Sequence, residues 1–73
     1  MAMKLDPSEI ELRFSYHSPK NDQPARYERI RGEAKALART LHELCLDCRE
    51  ASLALTHLDE VVMWANAAIA RRE

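Results

Sequence analysis

Seventy-three residues make at most one domain, at a size where one chain struggles to stay folded without disulfides, a metal or oligomerisation. Two cysteines, Cys45 and Cys48, are too few for a disulfide framework. An apolar fraction of 47% with 5% aromatics and one glycine points to Ala and Leu helix packing and away from a tightly turned sheet.

The net charge of −1 gives little non-specific attraction to long nucleic acid. Its distribution is uneven: residues 1–12 sum to −2, 13–39 to +4, 40–70 to −4 and 71–73 to +1. A basic segment in a near-neutral chain suggests a local anion site. No stretch approaches the roughly 18 apolar residues of a membrane span, and no signal peptide is visible. With free thiols, the cytoplasm is the expected compartment.

Residues 1–23 read as an arm, with one or two helical turns starting at Asp6-Pro7-Ser8-Glu9. The run Arg13-Phe14-Ser15-Tyr16-His17-Ser18-Pro19-Lys20 follows as an ordered loop or extended segment. It gathers two aromatics, a histidine and two cations. Residues 24–73 read as a two-helix hairpin belonging to the same single domain.

The first long helix opens at Asp22-Gln23-Pro24, with Asp22 as N-cap and Pro24 in the first turn. Tyr27, Ile30, Ala34, Leu37, Leu41 and Leu44 follow a heptad-like spacing and predict the packed seam. The second helix opens at Asp47, with Glu50 three residues on as a capping box. Its seam is predicted at Ala51, Leu55, Leu58, Val62, Ala65 and Ile69. The connection is short, so the helices run antiparallel. Leu53, Val61, Trp64 and Ala68 form another apolar stripe on the second helix. Either the N-terminal segment folds over it, or it is an association patch; the size of the chain favours association.

His42, Cys45, Cys48 and His57 are soft ligands around the turn, but zinc needs four that converge in a tetrahedron. His57 sits roughly 13 Å along its helix by rise alone, so the cysteines read as buried or semi-buried free thiols. No spacing suggests a nucleophile and base pair, and a two-helix hairpin offers no deep preformed pocket. Catalysis is therefore not expected, nor is a cofactor.

Arg31, Lys35 and Arg39 recur at i, i+4 and i+8 on one face of the first long helix. Gly32 stands beside Arg31, where it costs about 1 kcal/mol against Ala. Two readings stay open. One is a solvated stripe salt-bridged by Glu28 and Glu33, with Gly32 easing helix packing. The other is a phosphate site, with Gly32 admitting a ligand or another backbone and Phe14 or Tyr16 stacking a base.

The run Arg49-Glu50-Ala51-Ser52-Leu53-Ala54-Leu55-Thr56-His57-Leu58-Asp59-Glu60-Val61-Val62-Met63-Trp64-Ala65-Asn66-Ala67-Ala68-Ile69-Ala70 resembles the C-terminal helix of phage cyclic-nucleotide sponges. These are the anti-CBASS and Thoeris anti-defence hairpin-domain proteins. Phe14-Ser15-Tyr16-His17 and Tyr27-Glu28-Arg29-Ile30-Arg31-Gly32-Glu33-Ala34-Lys35 resemble the N-terminal half of that domain. The resemblance covers about residues 13–72, and its Met63-Trp64-Ala65 segment is the most specific part.

The resemblance implies an all-α hairpin that assembles into a symmetric homo-oligomer, commonly a hexamer. It implies binding, without cleavage, of cyclic dinucleotides, and in some members of cyclic trinucleotides or cyclic ADP-ribose isomers, in the infected bacterial cytoplasm. By motif position, Tyr16 stacks a base and Arg31 meets phosphate, with His17 adjacent and Phe14 and Lys35 nearby. The family has lysine where this chain has Arg31, a change that keeps the charge and suits bidentate contact. A separate trinucleotide pocket implies Arg71 or Arg72. The competing reading is a small helical interaction or phage regulatory module whose basic face meets an acidic partner.

Overall fold

The structure, a computed structural model, describes residues 6–73. The arm's first five residues, Lys4 among them, lie outside that range. The described chain is all-helical: α1 spans Pro7–Phe14, α2 Gln23–Leu44 and α3 Arg49–Arg72.

Helix α1 starts where the sequence places it. The Asp6 carboxylate accepts the Glu9 backbone N–H at 2.9 Å, and Pro7 occupies the first turn, where its missing N–H has no intrahelical partner to lose. Ser15 is extended and ends the helix. The chain then runs without regular structure to Asn21, whose φ of 53° turns it into α2. Asparagine tolerates that left-handed conformation better than most residues.

At the start of α2, Asp22 occupies the N-cap position but makes no side-chain capping bond. It lies instead 3.3 Å from Arg26 Nε. Gln23 closes this end of the hairpin. Its Oε1 accepts the Lys20 N–H at 3.1 Å, and its Nε2 donates to the Ile69 carbonyl at 3.3 Å. At 3% exposure, Gln23 is the one buried residue among those described. Contact between the start of α2 and the end of α3 fixes the antiparallel arrangement.

The seam departs from the predicted one at identifiable places. Tyr27, Ile30, Ala34 and Leu41 are half-buried as expected, but Leu37 and Leu44 are 48% and 78% exposed, and Ala38 takes the inward place. A straight helix drifts by ~20° per heptad against a strict 3.5-residue repeat, so the inward position slips by one residue. On α3, Ala51, Leu58, Val62, Ala65 and Ile69 are half-buried, whereas Leu55 is 54% exposed.

Two expectations at the turn are corrected. The N-cap of α3 is Cys48, in extended conformation and without a capping side-chain bond. With the cap one residue later than Asp47, Glu50 no longer stands at the third helical position and the box cannot close. Both cysteines are exposed, not buried. Leu44 and Leu46, 78% and 84% exposed, lie at the same uncovered turn.

No described hydrophobic side chain is buried. The accessible surface is 6353 Å², against roughly 4,600 Å² for a typical folded monomer of this mass. The radius of gyration is 15.8 Å, against about 11 Å for a compact domain of this length. Helix α1 does not cover the second stripe: Val61 and Trp64 remain 60% and 68% exposed.

Helix α1 is clasped to the end of α3. Glu9 accepts from Arg72 at 2.7 and 3.3 Å and from Arg13 at 2.9 Å. Glu73 takes both prongs of the Arg26 guanidinium at the other side of the same end. The Arg72 bond, and then that from Arg13, lowers the Glu9 carboxyl to about 2. A carboxyl lowered on folding contributes stability above its unfolded value and loses it as pH falls toward the folded one. Circular-dichroism melts between about pH 5 and pH 2 should therefore show a shallower acid limb in Glu9→Gln than in wild type. Identical limbs would mean that the clasp contributes nothing.

Candidate functional site

Two clefts flank the basic and aromatic residues. The first, about 400 Å³, lies where the arm passes the outer end of the hairpin. Tyr16, His17, Tyr27, Asn66 and Arg71 line it, and Arg13 borders it. The arm is held here by His17, whose Nε2 is 2.6 Å from the Leu12 carbonyl. A carbonyl can only accept, so this contact needs the proton on Nε2. The pinned arm leaves Tyr16 86% exposed and Phe14 84% exposed, so their ring faces are available to a flat ligand.

The second cleft, about 410 Å³, lies along the middle of the hairpin. Arg31 and Lys35 line it from α2; Leu55, Thr56, Asp59 and Val62 line it from α3. Tyr16 and Arg31 thus line different clefts of one chain. The structure groups Tyr16 and His17 with Arg71, and Arg31 with Lys35. Arg72, adjacent to Arg71 in sequence, is engaged with Glu9.

The charges on α2 are not distributed as a salt-bridged stripe. Glu33 pairs with Arg29 at 2.9 Å. Arg31, Lys35 and Arg39 are exposed and, among the described residues, form no ion pair. Unneutralised cations at helical spacing provide a surface that an anion can neutralise. Apart from its own helix backbone and chain neighbours, no atom of the described residues lies within 4 Å of where a Gly32 Cβ would stand. Its lack of a side chain therefore serves no packing inside the hairpin.

Around the turn, His57 Nδ1 lies 3.3 Å from Glu60 of its own helix. Among the described residues, no group of three or more His, Cys, Asp or Glu side chains could hold a metal ion. No described helix is long and apolar enough to cross a membrane.

Sequence reasoning missed Asn66 and placed Tyr27 only in the seam. Among the described residues, Asn66 Oδ1 has no hydrogen-bond partner and is buried. The available signal was one amide among alanines, in Ala65-Asn66-Ala67-Ala68. Together the exposed ring faces and guanidinium groups can bind a planar anion.

The family model described as Acb2/Tad1, hairpin domain, matches residues 6–70. No curated protein and no solved structure matches the chain.

Proposed function

The chain belongs to the Acb2/Tad1 hairpin-domain family of anti-CBASS and anti-Thoeris sponges, and on that premise we propose that it sequesters cyclic oligonucleotide immune signals. Its ligands are cyclic dinucleotides such as cyclic GMP-AMP, with cyclic trinucleotides or cyclic ADP-ribose isomers as further candidates. It holds them without cleavage, in the cytoplasm of the infected bacterial host, and so lowers the concentration that reaches defence effectors. The observation that carries this reading is the family match across nearly the whole chain.

The geometry supports a site shared between copies. Tyr16 and Arg31 line separate clefts of one chain, so one ligand meets both more readily when a second copy's arm approaches the first copy's α2. The exposed surface supports self-association, as a homo-oligomer on the hexameric pattern of the family. The arm, residues 1–23, then supplies stacking, and the hairpin, residues 24–73, supplies phosphate contacts and the interface. In a trinucleotide site, Arg72 must exchange Glu9 for phosphate, while Lys35 and Phe14 assist at the dinucleotide site.

Thermal denaturation with and without cyclic GMP-AMP tests the proposal. A ligand that binds only the folded assembly, at 100 times its dissociation constant, adds about 2.7 kcal/mol. Absence of any shift with cyclic di- and trinucleotides would overturn it. Gly32 offers a second check. Gly32→Ala should gain about 1 kcal/mol of helix stability, yet weaken ligand binding measured by calorimetry, because the added methyl meets the approaching ligand or copy. Unchanged binding would remove Gly32 from the site.

A further inference from the structure

Cys45 and Cys48 have no part in the sponge reading. They bracket the short link between α2 and α3, at the opposite end of the hairpin from the clasp. Both are exposed free thiols. Cys45 closes α2 and Cys48 opens α3, each in extended conformation. Their backbones are fixed: the Cys45 N–H donates to the Leu41 carbonyl at 2.9 Å, and the Cys48 carbonyl accepts from the Ser52 N–H at 3.1 Å. Two thiols on anchored backbone, with two residues between them, have the spacing at which structural zinc sites take cysteines in pairs.

Such a pair is half a site. Structural zinc takes four ligands in a tetrahedron, and no group of three or more His, Cys, Asp or Glu among the described residues of one chain could hold a metal ion. A second copy meeting the first tip to tip supplies the missing pair. The surroundings suit that contact. Leu44 and Leu46 flank Cys45 at 78% and 84% exposure, so the approach also takes apolar surface out of water. A groove of about 570 Å³, lined by Leu41, Cys45, Leu46, Ala51 and Leu55, gives the second copy's leucines a place to seat. The N-cap of α3 makes no side-chain bond, so the first N–H groups of that helix remain available to donate to metal-bound sulfur. Zinc held by four thiolates carries excess negative charge. Arg49, next to Cys48, is exposed and forms no ion pair among the described residues, so one from each copy can offset it.

We propose that Cys45 and Cys48 of two copies bind one zinc ion between their hairpin tips, as a four-thiolate site. Binding exchanges four thiol protons for one Zn2+, with no change of oxidation state. The tip lies roughly 24 Å from Trp64 by helix rise alone, so this contact is separate from the apolar stripe and depends on the metal. It stands whether or not the chain binds nucleotides.

The full chain, reduced and stripped of metal, is titrated with zinc against a chromophoric chelator, and the bound form is read by X-ray absorption at the zinc edge. The expected result is one zinc per two chains, with sulfur alone in the coordination shell at about 2.3 Å. A chain with two cysteines reaches four sulfurs only by sharing the metal with another copy. Cys45→Ser and Cys48→Ser should each abolish stoichiometric binding. His42→Gln, which alters the groove beside Cys45, should keep it. Both thiols are exposed, so the serine variants should retain wild-type helix content by circular dichroism; if they unfold, the wild-type stoichiometry and shell decide. No zinc uptake, one zinc per chain, or a shell containing nitrogen or oxygen would each overturn the inference. So would uptake that survives in folded serine variants or is lost in His42→Gln.

Discussion

Replacing Trp64 with lysine is expected to leave the chain monomeric and unable to retain ligand, although the assigned ligand contacts stay in place. Trp64 is 68% exposed, and Val61 and Met63 beside it are 60% and 61% exposed. Covering the exposed part of one tryptophan amounts to about 3–4 kcal/mol at ~25 cal/mol per Å² and ~150–250 Å² of side chain. The lysine removes that gain and adds a charge that burial would desolvate. A chain with no buried hydrophobic side chain among its described residues has little internal stability with which to absorb the loss. Analytical ultracentrifugation should show a shift to monomer, and calorimetry should show no cyclic GMP-AMP binding. A Trp64→Lys protein that assembles like wild type would place the interface elsewhere. A monomer with full affinity would mean that one chain suffices for the site.

Tyr16→Ala should separate the two effects: assembly intact, binding strongly weakened. Stacking of a base on an aromatic ring contributes ~1–3 kcal/mol, which is roughly 5- to 150-fold in affinity. In an assembly where each ligand meets more than one arm, the loss is repeated. Tyr16 is 86% exposed and so holds no part of the hairpin together, which makes its truncation a clean test. Arg31→Ala should lose a charge-assisted contact of ~1.5–3 kcal/mol, also without dissociation. Undiminished binding by both variants would remove these residues from the site even if the family function holds.

Much of the architecture was legible because it follows from local rules. Asp6 and Pro7 start α1, Gln23-Pro24 start α2, and the apolar spacing of Tyr27, Ile30 and Ala34 marks the inward face. What failed depended on accumulated geometry. Leu37 and Leu44 satisfy a strict heptad on paper, but helix drift hands the inward position to Ala38. The box at Asp47 failed because the cap lies one residue later, at Cys48, a difference that composition does not encode. Thiols expected to be sheltered are exposed, at a turn where the neighbouring Leu44 and Leu46 are also uncovered.

The candidate site was half legible. Chemistry-bearing side chains stand out in sequence, so Tyr16, His17 and the Arg31/Lys35 face could be singled out there, and each lines a cleft of the structure. Partnerships do not stand out: nothing in the order Arg71-Arg72 says that one meets Glu9 while the other borders the Tyr16 cleft. Nor does a single amide on an alanine-rich helix announce that Asn66 lines that cleft.

Sequestration itself is tested most directly by mass balance. The purified protein is incubated with a limiting amount of cyclic GMP-AMP, the free ligand is separated by filtration, and the retained fraction is released by proteolysis and identified by liquid chromatography and mass spectrometry. Sequestration requires near-complete depletion from the filtrate and recovery of chemically unchanged cyclic GMP-AMP from the protein. Linear or hydrolysed product would contradict it, as would ligand that stays in the filtrate at protein concentrations where the chain is assembled.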